Sequence, residues 1–302
     1  MGLLDGPAVL FGWGCYLSFG YFKMNKINIR IWRRTIQTGV AVVFIMLPIL
    51  NAEGFSFIWG NFLNIHVGSL TFSDPLAVLQ VTVKNRYLPV GLLISAGMVL
   101  AIAFCLGTVF CSWICPFGLL SELVNRLACR VWPWKFSLYK IFKNGFAVKA
   151  VVFCAGFLIV FVFCRSPVLN LTSLSFQYSN IFQYFLIQKQ LPAAIWFIGA
   201  ILLVEFLFRT RLWCRWFCPQ SVLLIVARLF NPFRLKVVFE KEKCVGIKAP
   251  GPCQKACSLD LNPKRLNSRI EAQCTNCGDC VDACRKTGGA LAFGFGRCKK
   301  GQ

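Results

Sequence analysis

Apolar runs separated by short polar connections set the pattern of this chain. Four runs, residues 35–52, 90–110, 146–164 and 191–208, are each near the length that a bilayer demands of a helix and predict four membrane spans. The third carries one charge, Lys149, close enough to its start for the ammonium to snorkel to the interface. A shorter, glycine-containing apolar stretch at 7–22 reads either as a fifth span or as an interfacial segment. The second and fourth runs each lead into an amphipathic helix.

Charge orients these spans. Lys23, Lys26, Arg30, Arg33 and Arg34 precede the first. Arg126, Arg130, Lys135, Lys140 and Lys143 lie between the second and third, and Arg209, Arg211, Arg215, Arg228, Arg234 and Lys236 follow the fourth. In the connection 53–89, Glu53, Asp74, Lys84 and Arg86 cancel, and the connection 165–190 holds only Arg165 and Lys189. The positive-inside rule therefore places the N-terminal basic segment, the second-to-third connection and the C-terminal segment in the cytoplasm of a multi-pass protein of the bacterial inner membrane. Membrane lipid accounts for 57% apolar residues and 30 phenylalanines, which exceed what a soluble core needs. The net charge of +22 follows from the same topology. Because the basic residues flank apolar spans instead of forming a soluble face, no nucleic-acid partner is expected.

The 17 cysteines carry the chemistry. No stretch reads as a cleavable signal peptide, and the motif cysteines lie beside the basic segments, on the reducing side, so a disulfide framework is not expected. Cys274, Cys277, Cys280 and Cys284 form C-x2-C-x2-C-x3-C, the bacterial ferredoxin run for a [4Fe–4S] cluster. Zinc prefers ligand pairs separated by a longer loop, and no histidine is nearby. Upstream lie Cys244, Cys253 and Cys257, a partial run without its middle cysteine. On the pseudo-twofold ferredoxin plan, Cys274, Cys277, Cys280 and Cys257 complete one cluster. Cys244, Cys253 and Cys284 are one ligand short of a second. That set fits a [3Fe–4S] cluster or a [4Fe–4S] cluster with a non-cysteine ligand, unless Cys298 completes it or only one cluster forms. Ser258 and Arg285 stand where proline usually follows such runs. With His66 as the sole histidine and no C-x2-C-H sequence, haem is not expected. The expected fold is an all-α polytopic membrane domain of four or five transmembrane helices at 1–239, followed by a small ferredoxin-like α+β iron–sulfur domain at 240–302, too small to hold a core without a metal staple.

An internal duplication adds four thiols. The second span ends in FCSWICPFGLLSELVNRL and the fourth in WCRWFCPQSVLLIVARLF. Each reads span, C-x3-C-P, amphipathic helix, pairing Cys111 with Cys115 and Cys214 with Cys218. Residues four apart share a helix face, and Pro116 and Pro219 then bend or break the helix. The two units are expected to gather these four thiols at the membrane edge, as a cluster, another metal site or a thiol–disulfide pair. The alternative is a pair of structural thiols at a helix end. Cys15, Cys105, Cys129, Cys154 and Cys164 lack motif spacing and read as packing residues.

The two C-x3-C-P motifs, the basic segment RRTIQ, the pieces WGN and LTFSDPLAVLQ and the C-terminal run together resemble the NapH-type membrane polyferredoxins, with relatives of the MauN and NosR kinds. The resemblance runs from about residue 33 to 293. It implies the electron-relay component of a quinol dehydrogenase that draws on the quinone pool and feeds a periplasmic reductase or related redox system, with a separate ferredoxin-like or cytochrome redox partner. It assigns the same ligand sets to the two clusters and makes Cys111, Cys115, Cys214 and Cys218 the membrane-edge thiols. The incomplete run at Cys244 departs from the family's two full runs.

Quinol oxidation requires a proton acceptor. Glu205, inside the fourth span, is the first candidate because an ionisable group there is costly. An ion pair with Arg209, four residues on, is its structural explanation. Asp74 and His66 are alternatives. Two other functions compete. One is maturation of a redox metalloenzyme by the clusters and C-x3-C-P thiols; the other is a membrane anchor with structural clusters.

Overall fold

The computed structural model describes residues 28–54, 57–85, 90–131, 145–163, 168–245, 251–265 and 271–295. The stretch 7–22, Cys15, Cys164 and Cys298 lie outside them. Each predicted span holds an apolar helix: α1 (Ile29–Ala52), α3 (Val90–Leu106), α6 (Gly145–Phe163) and α8 (Ala194–Phe208). Among the described residues α1 is the helix long and apolar enough to cross a membrane by itself. Its buried positions, Ile29, Arg33, Gln37, Ala41, Phe44 and Pro48, recur every three to four residues and form one stripe against the bundle. The opposite face, with Ile31, Trp32, Val42, Val43 and Met46, is exposed.

The second span is shorter than its apolar run. Helix α3 stops at Leu106, Gly107 takes a left-handed φ of 73°, and a separate turn, α4 (Val109–Trp113), carries Cys111. A Cβ on Gly107 would sit 2.9 Å from Asn276 Nδ2 of the C-terminal segment, so the break makes room for a docking contact. Pro116 then opens α5 (Pro116–Val131), a position where a missing N–H costs nothing.

The described residues of the connection 53–89 form regular structure, and here the all-α expectation is corrected. WGN and LTFS lie in an antiparallel meander of β1 (Ile58–Asn61), β2 (Asn64–Val67) and β3 (Leu70–Ser73), followed by α2 (Pro75–Asn85). Asn61 Oδ1 accepts from the amides of Leu63 and Asn64 and closes the first hairpin. The runs are too short to announce themselves as strands beside long apolar helices. Phe62 packs with Phe44 and Phe110, and Ser95 donates to Ser73 Oγ at 2.7 Å, so the meander is folded into the bundle.

Helices α7 (Leu174–Ile187) and α9 (Gln220–Leu229) complete the bundle. The C-terminal segment adds β4 (Leu235–Phe239), α10 (Pro252–Lys255), α11 (Asp279–Arg285) and β5 (Leu291–Phe295), with β4 and β5 antiparallel in register from Leu235–Phe295 to Phe239–Leu291. This tail is α+β, as expected. Ile29 of α1 lies in its core with Val237, Val281 and Leu291. Gly278, at φ 80°, caps α11; a Cβ there would fall 2.7 Å from Ile29 Cγ2.

A buried ion network joins bundle and tail. Arg33, fully buried, donates to both carboxylate oxygens of Glu122 on α5 at 2.7 Å and to both of Asp279 on α11 at 3.1 and 3.0 Å. Arg34 and Arg126 also pair with Glu122, and Arg30 with Asp279. Burial pushes the Glu122 carboxyl up, but the Arg33 hydrogen bonds and the charges of Arg33, Arg211 and Arg34 more than reverse this and hold it at about 2. Arg33→Met would remove the buried guanidinium that bridges Glu122 and Asp279 and is expected to weaken tail docking by about 3–5 kcal/mol. The readout is protease release of the tail from detergent-solubilised protein; wild-type resistance in that variant would show that the network does not hold the tail.

Candidate iron–sulfur centres at the junction of bundle and tail

The tail brings together the first expected ligand set. Cys257, Cys274, Cys277 and Cys280 line one pocket with Val237, Leu259, Leu261 and Thr275. The loop wraps because Asn276 and Gly278 both take left-handed φ values, 53° and 80°, and α11 then lifts Cys280 onto its first turn. Burial, and then the Asp279 carboxylate, pushes Cys277 far above an ordinary thiol; burial and then the neighbouring thiols do the same to Cys280, and burial pushes Cys257 to about 11. Thiolates there need a metal to hold them. Thr275 Oγ1, buried in the pocket lining, finds no partner among the described residues, as expected of a donor aimed at a cluster sulfur. The residues fit a [4Fe–4S] cluster.

Of the second set, Cys253 on α10 and Cys284 on α11 share one core and interact electrostatically, with Lys264 also acting on Cys253. Cys244 packs against that core. The same core also takes in Cys280 and Cys274 of the first set.

The two C-x3-C-P turns meet inside the bundle. Cys111 lies in the electrostatic field of Cys115, Cys214 and Cys218. The first pair sits on α4 and the bend before α5, the second on a π-helical turn (Trp213–Phe217) before α9. Gly118 lets α5 fold back over its own turn; a Cβ would lie 2.7 Å from the Cys111 carbonyl oxygen. Burial raises Cys111 strongly and Cys214 to about 12. Cys115 Sγ lies 2.8 Å from Ser175 Oγ and accepts from the Gly118 amide at 3.3 Å. Arg211 approaches Cys214 Sγ at 3.5 Å. The buried Trp213 Nε1 finds no acceptor among the described residues. Among the described residues no group of His, Cys, Asp or Glu side chains is arranged to hold a single metal ion. Iron–sulfur clusters make a different demand, because each thiolate binds its own iron.

The turns dock directly on the loop that carries the first tail set. Ser112 Oγ donates to the Thr275 carbonyl at 2.6 Å, and Thr108 Oγ1 to the Cys274 carbonyl at 2.8 Å. In the second unit Arg215, at the position corresponding to Ser112, donates to the Leu259 carbonyl at 2.8 Å and to Gln273 Oε1 at 3.1 Å. Arg228, 1% exposed, donates to Thr108 Oγ1 at 2.8 Å and the Cys274 carbonyl at 2.7 Å, and interacts with both Cys274 and Cys111. One guanidinium thus lies between the two thiol sets.

Several side chains sit where the sequence did not place them. Arg211, Arg215 and Arg228, which read as cytoplasmic flanking charges, are buried. Lys149 does not snorkel: it is buried and donates from Nζ to the Cys214 carbonyl at 2.8 Å. The available signal was a charge inside an apolar span. Glu205 is fully buried and accepts from Ser121 Oγ and, at 3.0 Å, from the Trp213 amide; no Glu205–Arg209 ion pair forms. Asp74 caps α2 through the Leu76 amide and accepts from Gln220 at 2.7 Å, two residues beyond Cys218. His66 stacks on Trp59 and bonds Thr71, away from the thiols. Cys105, Cys129 and Cys154 are exposed on their helices, not packed inside.

These thiol sets fit an iron–sulfur protein, and the likenesses to known proteins point to electron transfer. The chain matches a 4Fe-4S binding domain family at residues 88–135 and again at 190–234, so each match covers one C-x3-C-P unit and none of the tail cysteines. It is 24% identical over 285 residues to the ferredoxin-type protein NapH of Haemophilus influenzae, covering 88% of this chain and 90% of that one. It is 24% identical to the methylamine utilization ferredoxin-type protein MauN of Methylobacillus flagellatus, covering 78% and 80%. An Escherichia coli protein named for electron transport, YccM, is 26% identical over 63% of this chain, which spans about half, 54%, of that relative. No solved structure matches. At these low identities the likenesses support membership of the NapH-type ferredoxin family.

Cys277→Ser is expected to remove most of the iron and acid-labile sulfide of the first tail cluster from anaerobically purified protein. Unchanged iron per chain would exclude this ligand set.

Proposed function

We propose that this chain is a multi-pass inner-membrane relay. It takes electrons from quinol and passes them through its thiol-held centres to a ferredoxin-like or cytochrome partner, towards a periplasmic reductase or related redox system. The observation that carries this reading is the docking of both C-x3-C-P turns on the tail, the first on the Cys274 and Thr275 carbonyls and the second on Leu259 and Gln273, which gives electrons entering the bundle a direct neighbour there. The exposed apolar faces of α6 and α8, with Val151 67% and Trp196 81% accessible, support lipid contact along more helices than α1. The basic flanks support a cytoplasmic tail. The partner must then return electrons across the membrane, since the tail centres and a periplasmic acceptor lie on opposite sides.

Asp74 is the proton acceptor best supported by geometry. Glu205 is committed to Ser121 and the Trp213 amide, whereas Asp74 reaches the second C-x3-C-P turn and interacts with Cys218. Burial raises its carboxyl to about 6, where a base accepts protons near neutral pH. Asp74→Asn keeps a capping oxygen for α2. It is expected to slow cluster reduction by a quinol analogue about 100-fold, followed by EPR in anaerobic membranes, while dithionite reduction is unchanged. In the wild type the quinol-dependent rate should rise as pH rises through about 6. Clusters that respond to dithionite and never to quinol would overturn the quinol reading; a wild-type quinol rate in the variant would remove Asp74 alone.

A further inference from the structure

A basic rim surrounds the second cysteine set of the tail. Lys241 and Lys243 precede Cys244, Lys255 follows Cys253 on α10, and Arg285 and Lys286 follow Cys284. All five cations are exposed, and among the described residues of 240–245, 251–257 and 284–290 the exposed acid is Glu242. Lys243 pairs with the less exposed Glu240, and Arg285 lies 3.7 Å from Asp282. The rim is one surface. Cys244 packs on the core that holds Cys253 and Cys284, the Glu240 amide donates to the Ala290 carbonyl at 2.8 Å, and a Cβ on Gly288 would fall 2.6 Å from Val245 Cγ2. Val245 is itself 68% exposed, an apolar side chain in water among these charges.

Neither topology nor docking accounts for this rim. The positive-inside bias acts within about 15–20 residues of a span end. Helix α8 ends at Phe208, so the cations from Lys241 onward lie beyond its reach. The bundle grips the tail elsewhere, through Asp279 and through the chain at Leu259, Gln273, Cys274 and Thr275. Exposed charges of one sign repel each other and contribute nothing to holding so small a unit together. They do steer an oppositely charged partner. An apolar centre within a charged rim is the anatomy of a small, transient interface, the kind through which redox proteins meet. Like charge also sets this face against a second copy of itself.

We propose that the face formed by Lys241, Lys243, Val245, Lys255, Arg285 and Lys286 is the docking surface of the tail for a soluble redox protein with an acidic face. Val245 is the apolar contact at its centre and the cations set the approach. This rests on the relay reading in taking the tail as the place where electrons are exchanged with a partner; it requires neither quinol nor a particular direction of flow. The charges of the exposed lysines and arginine are those of ordinary side chains in water, so the steering is screened by salt.

The test uses the full chain in detergent, purified anaerobically and oxidised, with reduced plant-type ferredoxin, a small acidic protein, as the probe. Stopped-flow absorbance follows the one-electron transfer from ferredoxin to the chain. The wild-type second-order rate is expected to fall steeply as salt rises. In Lys241→Glu/Lys255→Glu/Lys286→Glu it is expected to fall at least about tenfold at low salt, with iron content and EPR spectrum unchanged. Arginine at the same three positions is expected to keep the wild-type rate. A wild-type rate in the glutamate variant, or a wild-type rate that ignores salt, would overturn the proposal. So would a chain that dithionite reduces and ferredoxin does not, which leaves the relay reading standing. Clusters that neither dithionite nor ferredoxin reduces would defeat the relay reading itself and the proposal with it. A lipid occupant is tested by amine labelling in nanodiscs: protection of Lys241 and Lys286 in phosphatidylglycerol but not in phosphatidylcholine would assign the face to anionic headgroups and overturn the partner.

Discussion

Charge removed from water governs this structure. Arg33, Arg211, Arg215 and Arg228 are all nearly inaccessible, and they lie where the helical bundle meets the cysteine-rich tail. A buried guanidinium must satisfy several donors at once, so each reaches across an element boundary: Arg33 to α5 and α11, Arg215 to Leu259 and Gln273, Arg228 to Thr108 and Cys274. The tail is thus fixed by directional contacts as well as by the insertion of Ile29 into its core. The same contacts place two sets of four cysteines on either side of one interface.

The duplication is a scaffold with unequal halves. Both units reach the tail from the residue after their first cysteine, yet one uses the hydroxyl of Ser112 and the other the guanidinium of Arg215. Both turns are anchored from a neighbouring apolar helix, by Gln37 in one and Lys149 in the other. Gly118 permits a close backbone approach in the first unit, where the second has Ser221 and a π-helical turn. Cationic substitutions therefore concentrate in the second unit, around Cys214 and Cys218. A symmetric pair of helices has become a polarised environment for whatever the thiols bind.

Apolar run length and cysteine spacing are local properties, and they are what the sequence alone determined here. Run length located α1, α3, α6 and α8, because a helix that meets lipid or other helices must be apolar over its whole extent. Spacing grouped Cys257 with Cys274, Cys277 and Cys280, and repetition paired the C-x3-C-P turns. Tertiary structure decided the rest. The basic residues after the fourth span read as solvent-facing because composition cannot distinguish a flank in water from one beneath a docked domain. The meander escaped notice because its strands are only four residues long and are held by Phe62 and Ser73, whose partners Phe44, Phe110 and Ser95 are distant in sequence. Lys149 read as an interfacial lysine because its distance from the span's start is local, whereas the Cys214 carbonyl that accepts its hydrogen bond lies on another helix 65 residues away. Periodicity can say which face of a helix is apolar; which buried charge meets which thiol depends on how separate helices pack.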